Sequence, residues 1–159
     1  MTMDRIKKQD DQRITLILEA LEKWQQMTGQ EGILLDQSIT FYSADSQAHQ
    51  LDAGWVPEWI WSQRSVAEAG GKPYLNPSFA VKLTGPDDPE FSRNQAEMAT
   101  LRDHGCQLGW LIEPSAEYVY IFQPGLPVHQ IPTFDYYIDG REVLKGFEFP
   151  LRCLRYGGC

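Results

Sequence analysis

The sequence predicts an α/β fold, a mixed β-sheet flanked by helices, formed by one domain. Three observations predict it. Ile14, Ile17, Leu18, Leu21, Trp24 and Met27 recur at three- and four-residue steps, the signature of one helix face. Phe79-Ala80-Val81-Lys82-Leu83 and Leu108-Gly109-Trp110-Leu111-Ile112 are short, almost continuously apolar runs, as buried central strands require. The segment between those runs has the caps of a helix, and the chain closes in a β-rich stretch. Strands separated by a helix and followed by a meander give a mixed sheet with helices packed on it.

The elements follow in order. A helix is expected from Asp11 to Thr28, with Glu19, Glu22, Lys23 and Gln26 on its solvated face and Gly29 to end it. Ile33-Leu34-Leu35 and Ile39-Thr40-Phe41-Tyr42 read as strands, and the polar stretch Ser43 to Gly54 as a loop. Trp59-Ile60-Trp61 reads as a strand beginning just after Pro57, and Ala67 to Pro73 as a glycine-containing connection. Asp88 and Pro89 open a second helix that runs to about His104 and closes at Gly105. Tyr118 to Phe122 pairs back on the Leu108 strand through a Pro114-Ser115-Ala116 turn. Val128 to Ile131, Tyr136 to Ile138 and Phe147 to Leu151 supply the last strands. Residues 1–10 are expected to be loosely ordered, 11–154 to form the domain, and 155–159 to be a flexible tail.

At 159 residues, with 42% hydrophobic and 12% aromatic content, the chain can bury a real core. A net charge of −8 and a pI near 4.8 disfavour a phosphate-backbone partner, which is held through Lys and Arg. No run of eighteen apolar residues is present to span a membrane, and Met1 to Asp11 lacks the apolar core of a signal peptide. Cys106, Cys153 and Cys159 are odd in number and lack CxxC spacing, so they read as free thiols, and the expected compartment is the cytoplasm. His49, His104 and His129 are widely separated, and a surface or helix-end role is expected for each. Gly70-Gly71-Lys72 lacks the remainder of a phosphate loop and reads as a turn. Asp87, Asp88 and Glu90 read as complements to a helix dipole. Trp55, Trp59 and Trp61 suit core or interface packing more than base stacking.

Several segments in order resemble a bacterial family of restriction-endonuclease-like proteins, the Uma-type branch of the PD-(D/E)XK nuclease superfamily, abundant in cyanobacteria. Asp11-Gln12-Arg13-Ile14 with Leu21, Trp24 and Gly29 resembles its first long helix. Val56-Pro57-Glu58-Trp59-Ile60-Trp61-Ser62 is similar to its "PDVAFV" strand, and Asn76 to Leu83 to its "PDLVVEVL" strand, with Gly85-Pro86 in the following turn. Leu101 with Gly105 to Pro114 resembles "YxxxGVxxYWLVDP". Phe122-Gln123-Pro124-Gly125 resembles "VYRPG", and Gly146 to Leu151 resembles "PGFxLPL". The match covers most of residues 11 to 154, and the family's extra N-terminal strands find no counterpart. The resemblance implies a restriction-endonuclease-like fold and a Mg²⁺-dependent endonuclease acting on DNA.

Such cleavage needs acidic oxygens to hold the ion and a basic side chain near the attacking water. Carried over residue by residue, the resemblance puts Glu58 at the first acid, Ser78 at the second "PD" aspartate, Lys82 at the glutamate of "VEV", and Glu97 at the helix lysine. Two readings follow. In one the site is degenerate: Ser78 offers no anion, and Lys82 puts positive charge where Mg²⁺ belonged. In the other Lys82 and Glu97 have exchanged charges across one cleft, leaving Glu58 and Glu97 as metal ligands. The expectation is a nuclease-like protein with little or no activity. The alternative is a non-catalytic protein-binding or assembly factor on the same scaffold, with a protein partner or a second copy as its ligand.

Overall fold

The structure, a computed structural model, describes residues 3–43, 47–66 and 73–155. In chain order the elements are α1 (Met3–Thr28), β1 (Gly32–Leu35), β2 (Thr40–Tyr42), β3 (Ala48–Gln50), β4 (Ala53–Pro57), α2 (Glu58–Ser62), β5 (Ser65–Val66), β6 (Pro73–Tyr74), β7 (Phe79–Leu83), α3 (Glu90–Asp103), β8 (Leu108–Glu113), β9 (Tyr118–Phe122), β10 (His129–Ile131), β11 (Tyr137–Gly140) and β12 (Leu144–Pro150). A short 3-10 turn, Leu151–Leu154, follows. The principal sheet has the order β1-β4-β7-β8-β9-β10. Only its central β7–β8 pair is parallel, and α3 is the crossover that a parallel pair demands. The sheet is therefore mixed and flanked by helices, as the apolar runs predict.

Alternation along the central strands feeds two cores. Phe79 and Val81 of β7, with Leu108, Trp110 and Ile112 of β8, face α1 and the β11–β12 hairpin. Ala80 and Leu111 face the other way, onto Met98 and Leu101 of α3 and onto Phe41, Leu51 and Leu75 around a small second sheet, β3-β2-β6-β5. Gly109 lets α3 approach: a Cβ there would stand 2.7 Å from the Met98 methyl. On α1, Ile14, Ile17, Leu21 and Trp24 are buried, and the Trp24 indole donates to the Lys145 carbonyl at 2.9 Å. Gly29 takes a positive φ of 72° and ends the helix by donating to Gln25 O.

The structure corrects several expectations. Met27 is 75% exposed and lies off the buried face of α1. Residues 3–10, expected to be loose, are the first turns of α1. The Trp59 strand is absent: β4 ends on Pro57 and residues 58–62 form α2, with Trp59 exposed. The reason is burial. Ala53 to Val56 are shielded by β1 on one side and β7 on the other, whereas no residue of α2 is buried. The stretch read as a polar loop holds β3 and the start of β4, with His49, Leu51 and Ala53 buried at alternate positions. Cys106 is free, and burial pushes its thiol up to about 12. Cys153 is disulfide-bonded, so the reading of three free thiols fails for it. The Gly70-Gly71-Lys72 turn, Cys159 and the tail beyond Arg155 lie outside the described residues. Among the described residues no helix is long and apolar enough to cross a membrane.

Candidate functional site

Strand β7 brings Lys82 out of the sheet on the same face as Ala80, towards α3. Glu97 comes down from α3 to meet it, and the Lys82 ammonium donates to Glu97 Oε1. The other oxygen, Oε2, lies 2.8 Å from Nδ1 of His49. Beyond the ring, His49 Nε2 is 2.9 Å from the Ser43 hydroxyl. The side chains of Lys82 and Glu97 are 18% and 21% exposed, and His49 is 4% exposed. Burial pulls the Glu97 carboxyl upward, but the hydrogen bonds from His49 and Lys82 outweigh it and hold the group below the usual carboxylate range.

Asp52 stands beside this pair. The last paired residues of β4 and β7 on this side are Ala53 and Val81, so one step further Asp52 lies across from Lys82. Its backbone N–H donates to Val81 O. Its carboxylate accepts from Leu83 N at 2.6 Å and from the Gln37 side chain at 2.6 Å. Thr84 and the buried Asn94 close the same corner through a 3.0 Å hydrogen bond. Asp10 of α1 is near enough to feel Asp52; burial first, then repulsion from Asp52, raises its carboxyl against the pull of Arg13.

The four residues carried over from the resemblance divide into two pairs. Lys82 and Glu97 meet. Glu58 is exposed at the start of α2, and Ser78 lies at the opposite end of β7, about 13 Å along the strand from Lys82 at ~3.3 Å per residue. Sequence reasoning passed over Asp52 and expected a surface or helix-end role for His49, which is instead buried in β3 with its ring on Glu97. A signal for each was present: Leu51-Asp52-Ala53-Gly54-Trp55-Val56 repeats the acid-then-apolar pattern of "PDVAFV" better than the segment around Glu58, and His49 alternates with the apolar Leu51.

Magnesium, which the nuclease resemblance implies, requires near-octahedral oxygen ligands at ~2.1 Å. The donors here do not fit it. Each oxygen of Asp52 and each oxygen of Glu97 already accepts a hydrogen bond or meets an imidazole nitrogen. Among the described residues no three His, Cys, Asp or Glu side chains converge as a metal site would need. The Lys82 ammonium also repels a cation: at ~4 Å and an effective dielectric near 20, two unit charges oppose each other by about 4 kcal/mol, and a divalent ion by about twice that. The Ser43–His49–Glu97 chain has the order of a nucleophile, base and acid. Ser43 is only 2% exposed, and the chain ties the small sheet to α3 through buried polar groups.

No described family matches the sequence, and no curated protein matches it. Among solved structures the chain is similar to one from Anabaena variabilis, described as "a putative nuclease belonging to DUF820". The likeness covers 91% of this chain and 79% of that one, with a TM-score of 0.71 and 14% sequence identity. At that identity it establishes a shared fold: the chain has the architecture of this nuclease-like scaffold.

Proposed function

We propose that this chain is a nuclease-scaffold protein that binds a ligand or partner and does not cut phosphodiesters. One observation supports this above the others. The Glu97 carboxylate is held by Lys82 on one oxygen and His49 on the other, in the corner where the resemblance expects an ion and its ligands. On this reading the former catalytic corner is a structural ion pair, whose charges compensate each other inside the fold. The net charge of −8 agrees, because an acidic surface weakens attraction to a DNA backbone.

Supercoiled plasmid incubated with the purified chain and Mg²⁺ or Mn²⁺ tests the proposal. The plasmid is expected to stay supercoiled. Nicking by the wild type that disappears in Glu97→Ala and in Asp52→Asn would overturn it.

A further inference from the structure

A second site lies at the other end of β4 and β7. There a cavity of about 670 Å³ opens between the principal sheet, α2 and the small sheet. Tyr42, Trp59 and Tyr74 present aromatic rings to it, with Trp59 63% and Tyr74 43% exposed. The Tyr42 and Tyr74 rings already lie 5.3 Å apart and tilted by 35°, so they form one aromatic wall.

Apart from Arg64, its described polar groups are uncharged. Ser78 is 8% exposed, its backbone N–H and C=O are spent on Trp55, Gln107 and Leu108, and its side chain borders the cavity. Its hydroxyl can offer a donor and an acceptor to a ligand in that cavity. Asn76, whose amide abuts Gly105 without a hydrogen bond to the described residues, and Gln107, which uses only its Nε2 on Gly105 O, add further donors and acceptors. Among the described residues the lining holds no carboxylate, which argues against a cation, and one charged side chain, Arg64, which argues against a polyanion.

We infer that this cavity binds a nucleobase, stacked on Trp59 or the tyrosine wall and read at its edge by Ser78, Asn76 and Gln107. A base is planar, uncharged, and carries donors and acceptors together along one edge, which is what aromatic rings beside amides and a hydroxyl recognise. Nucleosides and nucleoside 5′-monophosphates share that chemistry, and Arg64 separates them. Its guanidinium stacks 4.0 Å over Trp61 and gives one N–H to Trp61 O, leaving its other donors for a phosphate. The cavity touches the Lys82–Glu97 corner through Ser43 and His49, but its binding is read separately from the loss of cleavage.

The test is calorimetric titration of the full chain with the four ribonucleosides, their 5′-monophosphates and a short single-stranded oligonucleotide. Saturable binding of at least one nucleoside or monophosphate is expected. Trp59→Ala and Ser78→Ala are each expected to weaken it by roughly tenfold, by loss of stacking and of an edge hydrogen bond. Both changes are small in folding terms, since Trp59 is exposed and Ser78→Ala removes a single atom; circular dichroism checks that each variant is folded. An Arg64→Gln effect confined to monophosphates assigns a nucleotide, and no Arg64→Gln effect assigns a nucleoside. No saturable binding, binding of the oligonucleotide alone, or binding indifferent to both Trp59→Ala and Ser78→Ala overturns the inference.

Discussion

Glu97→Ala is expected to destabilise the protein by about 3 kcal/mol, read as a fall in the urea midpoint at unchanged slope. The substitution leaves two groups stranded. Lys82, 18% exposed, loses its counter-charge, and the buried His49 loses the acceptor on its Nδ1. Lys82→Met is expected to cost less, because Glu97 keeps His49 and no buried cation remains. The double variant Lys82→Met, Glu97→Met is expected to recover part of the loss, since an apolar pair replaces a compensated ionic one. The pH dependence carries the same sign. A carboxyl held below its ordinary value of 4.5 in the folded state adds stability that is present above that value and is lost as pH falls through the depressed folded value. Wild type should therefore lose stability on acidification from about pH 6 to about pH 3 more steeply than Glu97→Gln. Equal slopes would show that the carboxylate contributes nothing through His49 and Lys82.

Trp110→Ala is expected to cost about 4 kcal/mol, the upper range for emptying a core position. Trp110 is fully buried on β8. It meets Phe79 edge-on at 4.7 Å and stacks on Phe147 at 6.1 Å, so its loss opens the layer between the sheet and the β11–β12 hairpin. Its indole N–H has no acceptor among the described residues. Trp110→Phe removes that orphan donor, worth roughly 1–3 kcal/mol, while giving up some packing, and the two terms largely cancel. The expected pattern is a severe loss for alanine and a change within about 1 kcal/mol for phenylalanine. Guanidinium melts of the two variants check it, and equal losses would mean that the indole N–H has a partner after all.

The architecture was legible because its central parts are written in strong periodicities. The α1 stripe and the apolar runs of β7 and β8 bury whole faces, and nothing local competes with them. The capping chemistry was legible in part: His104 sits at the end of α3 on Thr100 O, whereas Pro89, expected inside the first turn, is the N-cap and makes no side-chain cap bond, and Asp88 reaches Ser92 from one residue further out. Where the reading slipped, the local pattern was ambiguous. Trp59-Ile60-Trp61 is as apolar as any strand, and only the pairing of β4 with β1 and β7 shows that the sheet is already complete before it. The candidate site was half legible. Lys82 and Glu97 lie on consecutive elements, β7 and α3, and were paired by charge complementarity. His49 and Asp52 sit in short strands among polar residues, and their roles come from long-range contacts with α3 and β7 that no local window contains.

On the proposed reading, the corner formed by Asp52, Lys82 and Glu97 is closed to a divalent cation by its own ion pair. Calorimetric titration of the wild-type chain with Mn²⁺ into the millimolar range tests it most directly. Only the heat of dilution is expected. A saturable heat at one site, lost in Glu97→Ala, would contradict it.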